Sequence, residues 1–394
     1  MTTEIAKGID WVGYVDWNIR DFHSYATNRG ATYNAYLIRD AKTALVDSVK
    51  APFAENLVAN VAALTALDKV DYLVCNHAEL DHSGALPELV RRMPQAEIVC
   101  NAKCRDILTA YYGAAGWKFK VVKSGDVLSL GGRSLTFLEI PMVHWPDSMV
   151  SYMAEEKLLF SNDAFGQHLA SSCRFADEVD QGVLFEEAKT YYANIVMPYG
   201  RQVQKALEAV CALDVQTLAP SHGVVWRKNL DAILGLYKGW AAFKPARKAL
   251  VMYDSMWEST AKMAQAIYRG AAATGIDVRL IRVRSSSNTV IATEALDAAA
   301  IACGSSTLNQ KLWPAMASAL TYLQGLKPQN KSAFAFGSYG CGAKGAQDEV
   351  NAILQAMNWN VIREPLKCQW KPTDAVLAEC EAAGRAMGEA VLRV

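Results

Sequence analysis

The residues best suited to chemistry in this chain stand close together. His77, Glu79, Asp81 and His82 fall within six residues of one stretch, Tyr72-Leu-Val-Cys-Asn-His77-Ala-Glu79-Leu-Asp81-His82-Ser-Gly-Ala-Leu-Pro87. A lone histidine is most often a hydrogen-bonded structural residue, but two imidazoles and two carboxylates packed this tightly are a set of metal donors. Positions i, i+2, i+4 and i+5 cannot share one helical face, where neighbours lie three or four residues apart, so the stretch is expected to be a loop. The apolar run before it reads as a buried strand, and Pro87 suits the first turn of the helix after it. A strand end gives such a loop a rigid base and freedom of backbone direction.

The arrangement recurs downstream. The strand-like run 134–140 precedes His144, 157–161 precedes Asp163, and 215–219 precedes His222. Four strand-end loops delivering histidine, glutamate and aspartate are what a metal site at one edge of a β-sandwich requires, with helices over the outer faces. A histidine and carboxylate set without thiolate suits iron or manganese, and zinc accepts it as well. Two metals bridged by one carboxylate is the economical use of seven ligands, and Asp163, on its own loop, is the candidate bridge. Cys100 and Cys104 are read as a strand end and a helix packing residue, because buried thiols behave as small hydrophobes.

The elements that must position these groups fall into two grammars. Residues 9–15, 33–39 and 43–47 are short runs rich in aromatic and β-branched residues, and helix 51–66, strand 97–100, helix 102–113 and strand 118–122 follow. Near 240–249 a helix end gives way to a proline-bearing connector, so one domain is expected over 1–246 and another over 247–394. The second alternates strictly: strands 249–253, 277–283, 299–303 and 332–336, with helices between them and loops at 254–260, 304–309 and 337–345. That alternation predicts a doubly wound parallel sheet with ligands at the strand C-terminal ends.

Composition narrows the rest. With 394 residues, 52% hydrophobic and 20% charged, the chain has material for at least two cores and no extensive disorder. Forty basic against forty acidic residues leave no electrostatic footprint for nucleic acid or an anionic membrane. No signal-like start or apolar run of about 18 residues occurs, so a cytoplasmic location is expected. Nine cysteines without a Cys-x-x-Cys pair argue for reduced thiols and against a zinc ribbon or rubredoxin-type iron site.

The series His77-x-Glu79-x-Asp81-His82, His144, Asp163 and His222 resembles the ligand series of the flavodiiron proteins. The resemblance covers essentially the whole chain, including Asp147 after His-Trp-Pro and the Tyr191-Tyr192-Ala-Asn-Ile run. It implies an α/β chain with an N-terminal metallo-β-lactamase-like αββα sandwich holding two irons and a C-terminal flavodoxin-like domain holding FMN. Hydrolytic relatives of the fold carry histidine where Glu79 stands, which favours redox chemistry; the alternative is a zinc-dependent hydrolase with a flavodoxin-like module. Ser255, Met256, Trp257, Ser259 and Thr260 would wrap the FMN phosphate at a helix N-terminus. Ser305, Thr307, Leu308 and Asn309, with Ser338, Tyr339, Gly340, Cys341 and Gly342, would flank the ring. The family often has an aromatic residue where Cys341 stands, which leaves Tyr339 or Trp257 to compensate.

The activity implied is four-electron reduction of dioxygen to water, or two-electron reduction of nitric oxide to nitrous oxide, protecting an anaerobic metabolism. His23 and Tyr192, or its neighbour Tyr191, would donate hydrogen bonds or protons. The stretches 161–168 and 221–226 resemble most the nitric oxide-reducing flavorubredoxins. No rubredoxin extension is present, so an external donor, a rubredoxin, is expected. A head-to-tail homodimer, or a dimer of such dimers, would bring the FMN of one subunit to the irons of the other.

Overall fold

The computed structural model describes residues 2–341 and 345–393. The chain forms two compact units, one made of the residues up to Tyr191 with Arg201–Lys238, the other of Tyr192–Gly200 with the residues from Gly239 onward. The second unit thus includes a short helical segment from the middle of the sequence besides the expected C-terminal stretch.

The first unit is built on two sheets. One runs Thr3–Ala6, Ile9–Trp11, Tyr36–Ile38, Thr43–Val46, Val70–Val74, Glu97–Cys100 and Phe119–Val121 in that spatial order, antiparallel at first and parallel from Thr43–Val46 onward. The other runs Val127–Ser129, Ser134–Glu139, Met149–Met153, Leu158–Asn162 and Thr217–Pro220. Their inner faces share one core, in which Ile9, Tyr36, Val46, Val74 and Val99 of the first sheet meet Leu135, Phe137, Met149 and Phe160 of the second. Phe137 and Phe160 are fully buried there, and truncating either to alanine costs about 3–5 kcal/mol.

The second unit is a parallel sheet in the order Asp277–Arg282, Ala246–Asp254, Ala298–Ser305, Ser332–Tyr339, with Asn360–Val361 and Leu366–Gln369 both pairing with the last of these. The strand order reverses beside Ala246–Asp254, the position at which open α/β sheets form a crevice. Helices Ser259–Ala272 and Asp374–Leu392 pack against one face, and Pro314–Leu326 and Ala346–Ala356 against the other. The first pair lies very close: a Cβ on Gly270 would stand 1.9 Å from the carbonyl of Glu381, and one on Gly384 2.0 Å from that of Ile267. No helix among the described residues is long and apolar enough to cross a membrane.

Candidate functional site

Leu158–Asn162 and Thr217–Pro220 are parallel neighbours, so the chain leaves both at one edge and Asp163 and His222 emerge together. A buried carboxylate ties the His77 loop to them. Asp47 accepts from the backbone N–H of Asn76 (2.8 Å) and from the side-chain amides of Asn76 (3.2 Å) and Asn162 (3.3 Å). The stretch is not the open loop expected throughout: Leu80–Ser83 is a single helical turn in which His82 and Ser83 donate their N–H groups to the Glu79 carbonyl. Four residues are too few for a helical period to show in sequence.

Two largely buried donor groups result among the described residues, His77, Glu79, His144 and Asp163 in one and Asp81, His82 and His222 in the other, and a third, His23 with Glu79 and Asp81, shares their carboxylates at a more exposed position. Asp163 faces the first two. Its Oδ2 lies 3.7 Å from His77 Nε2 and 3.4 Å from His144 Nε2, while its Oδ1 lies 3.1 Å from His82 Nε2 and 3.5 Å from His222 Nε2. Glu79 Oε2 stands 3.3 Å and 3.1 Å from Nε2 of His77 and His144, and Asp81 Oδ2 stands 3.3 Å and 3.1 Å from Nε2 of His82 and His222. Atoms about 2.1 Å from a shared ion are separated by roughly 3.0 Å at right angles and 3.4 Å at tetrahedral angles. The observed spacing is that of ligands around two neighbouring ions.

The outer hydrogen bonds agree. His77 Nδ1 meets Asp147 (3.1 Å), which also accepts from the Ala78 N–H (2.7 Å), and His222 Nδ1 donates to the Thr32 carbonyl (2.7 Å). A proton held on Nδ1 leaves the Nε2 lone pair for a cation. Tyr191 Oη (2.9 Å) and Ser221 Oγ (3.2 Å) donate to Asp163 Oδ1.

Burial alone would raise the carboxylates and lower the histidines, but opposite charges outweigh it. Hydrogen bonds from His144, His23 and His77 hold Glu79 well below its ordinary range, and His82 and His144 do the same for Asp163. Asp147 and Glu79 lift His77 well above its ordinary value, and Asp81 and Asp163 push His82 up to about 9. The cluster therefore favours added positive charge. Both oxygens of Asp81, both nitrogens of His82 and Asp163 Oδ2 are buried without a hydrogen-bond partner, so the donor set fits metal ions.

The second unit carries a cavity of about 490 Å³ where the strands Ala246–Asp254, Ala298–Ser305 and Ser332–Tyr339 end. Met256, Trp257, Ser259, Ser306, Thr307, Leu308, Asn309, Gln310, Ser338, Tyr339, Gly340, Cys341 and Trp370 line it, with no carboxylate among these described residues. Hydroxyls stitch the loops together: Thr260 Oγ1 bonds Ser306 Oγ (3.1 Å) and Ser338 Oγ (2.9 Å), and Ser306 Oγ accepts from the Met256 N–H (3.2 Å). Arg284 braces the first loop from behind through Asp254 (2.7 Å) and the Ser255 carbonyl (3.0 Å). Ser259 opens helix Ser259–Ala272, whose first N–H groups suit a phosphate, and the hydroxyl-lined, carboxylate-free wall fits FMN.

Sequence profiles agree with both halves: "ODP family beta lactamase" matches residues 31–223 and flavodoxin matches 251–384. A nitric oxide reductase of Moorella thermoacetica is 46% identical over 97% of this chain and 96% of its own length. An anaerobic nitric oxide reductase flavorubredoxin of Pectobacterium atrosepticum is 41% identical over 98% of this chain and 77% of its own. Among solved structures, the flavodiiron protein of Giardia intestinalis superposes with a TM-score of 0.97 at 36% identity, covering 100% of this chain and 97% of that one. The rubredoxin oxygen:oxidoreductase of Desulfovibrio gigas gives 0.97 at 38%, covering 100% and 99%.

The chain belongs to the flavodiiron proteins.

Measured against that family reading, the structure brings all seven expected metal ligands together. Of the two expected proton donors, His23 meets the cluster from a partly exposed position, its Nε2 3.0 Å from Glu79 Oε1. Tyr192 belongs to the second unit and packs on Trp240 at 5.3 Å between ring centroids; Tyr191, one helical step away, is the tyrosine that reaches Asp163. Around the cavity, Ser255, Thr260 and Ser305 are fully buried and position the wall instead of lining it, while Ser306 takes the facing place. Thr307–Leu308 pairs with Lys311–Leu312 as a hairpin whose tip, Asn309 and Gln310, has φ of 50° and 63°. Gly342 lies outside the described residues.

Sequence reasoning gave no part to Asp47, Thr32, Gln310 or Trp370. It also passed over His168, a fully buried imidazole 4.8 Å from His222 and 5.0 Å from Tyr191 between ring centroids, which burial and the nearby His222 hold well below the ordinary histidine range.

Proposed function

We propose that this flavodiiron protein reduces nitric oxide to nitrous oxide or dioxygen to water at a pair of non-haem irons fed by FMN. Asp163 carries the reading, because its two oxygens face two separate donor groups and a single carboxylate can bridge two ions. The names of the relatives, nitric oxide reductase and rubredoxin oxygen:oxidoreductase, support the two gases. Glu79 among the ligands favours iron over hydrolytic zinc, since added negative charge stabilises higher oxidation states.

His77, Glu79 and His144 would hold one ion, Asp81, His82 and His222 the other, and Asp163 both. When bound, the irons supply a Lewis-acid pair for a diatomic ligand and the flavin supplies electrons one at a time. The chain's own part is positional. Asp147 and the Thr32 carbonyl fix the tautomers of His77 and His222, and Tyr191 and Ser221 fix the bridging carboxylate. His23 places a solvent-reachable imidazole one hydrogen bond from a ligand carboxylate, where protons consumed by either reaction can enter. Electrons come from a separate rubredoxin-type carrier, and the working form is a head-to-tail homodimer.

Anaerobic stopped-flow mixing of the reduced protein with each gas tests the reading. Flavin reoxidation within the catalytic time scale with at least one gas is expected, and reoxidation by neither would overturn it.

A further inference from the structure

We propose that Trp370 is the aromatic face on which the flavin ring packs, on the side of the cavity where Cys341 stands. The inference rests on the FMN reading above. Trp370 is 62% exposed, although indole is among the side chains that gain most from burial. Its backbone has φ of 60°, the left-handed region that bulky residues rarely occupy. Strain and exposure held together at a cavity wall mark a side chain kept for a ligand, and not for the core.

The placement follows from the sheet. Leu366–Gln369 pairs in parallel with the end of Ser332–Tyr339, so the residue after it emerges beside the turn after Tyr339. The Trp370 N–H donates to the Tyr339 carbonyl (2.8 Å), and the indole lies across Gly340, where an added Cβ would stand 2.5 Å from Cζ3. The glycine is therefore what lets the ring lie down against the turn. Cys341, exposed on the same turn, is too small to cover a three-ring face, and the indole supplies that surface from the neighbouring strand. An indole face also disfavours the anionic reduced flavin relative to the neutral oxidised one, so Trp370 lowers the flavin potential.

The test uses the full chain stripped of flavin and titrated with FMN by fluorescence. Trp370→Ala is expected to bind FMN about tenfold more weakly, with part of the quenched emission restored. Trp370→Phe, which keeps an aromatic face, is expected to stay within about threefold of wild type, and the midpoint potential of bound flavin should rise in the alanine variant. Wild-type affinity and quenching in Trp370→Ala would overturn this inference alone. A wild-type chain that does not take up FMN would overturn the flavin reading together with it. If the alanine variant fails to fold, Trp370→Leu carries the same expectation, and undiminished affinity there is equally fatal.

Discussion

In the first unit seven ionisable side chains crowd into a nearly closed cluster, whereas the second presents a cavity walled by hydroxyls, amides and indoles with no carboxylate among its described lining residues. The cluster leaves buried oxygens and nitrogens without partners, while the hydroxyls of the cavity bond one another across three loops. One wall is a set of charged donors that needs cations to satisfy it, and the other is held by its own hydrogen bonds. Metal ions should therefore act as part of the fold in the first unit, and flavin as a guest in the second.

The sharpest way to break this contrast is Asp163→Ala. It removes the carboxylate common to both donor groups, so metal content should fall toward zero and gas reduction by more than about a hundredfold, beyond what loss of an outer partner costs. FMN affinity, measured by titration, should change by less than about twofold, because Asp163 is not among the residues lining the cavity.

Chelation against flavin removal comes next. At about a thousandfold excess over the dissociation constant, bound metal stabilises by roughly 4 kcal/mol. Calorimetry should show the transition of the first unit falling by several degrees on metal removal, and a smaller change in the second on loss of FMN. Equal shifts would mean that the cavity depends on its ligand as much as the cluster does.

Asp147→Asn keeps the shape of the His77 partner but removes its charge. Metal affinity should weaken by about 10–100-fold, read by competition with a chromophoric chelator, with the fold intact by circular dichroism.

The smallest effect is expected at Glu187, in the first unit but among no metal ligands. Burial pushes its carboxyl from 4.5 up to about 7 despite Arg29 at 3.0 Å. The folded chain thus holds this proton more tightly than the unfolded chain, and its contribution is full below pH 4.5 and lost as pH rises through about 7. A rise of that size corresponds to about 3 kcal/mol of stability at most, and Arg29 works against it by favouring the charged form. Glu187→Gln should flatten the fall in stability over that window, as followed by urea unfolding; an unchanged pH slope would place the proton elsewhere.

What could be read before the fold, and what could not, divides along similar lines. The seven residues proposed as metal ligands were legible because few residue types bind such ions and because their loops follow apolar runs that end abruptly. Asp47, Thr32 and Ser306 were not, since each acts across strands whose adjacency no local pattern records. Tyr191 and Tyr192 differ by one helical step at the end of Gln181–Tyr191, and only the helix's rotation decides which reaches Asp163. Helix Asp374–Leu392 buries Cys380, Ala383, Gly384, Met387, Gly388 and Val391, a face of mostly small residues whose apolar period is faint. Trp370 stands alone after an edge strand, where an exposed indole looks like any other surface residue until Gly340 is seen beneath it.

Mössbauer spectroscopy of the full chain loaded with iron-57 bears most directly on the shared carboxylate. A pair of magnetically coupled irons is expected in the wild type, with the coupling lost in Asp163→Ala. Isolated, uncoupled iron in the wild type, or a chain that takes up zinc and refuses iron, would contradict the account.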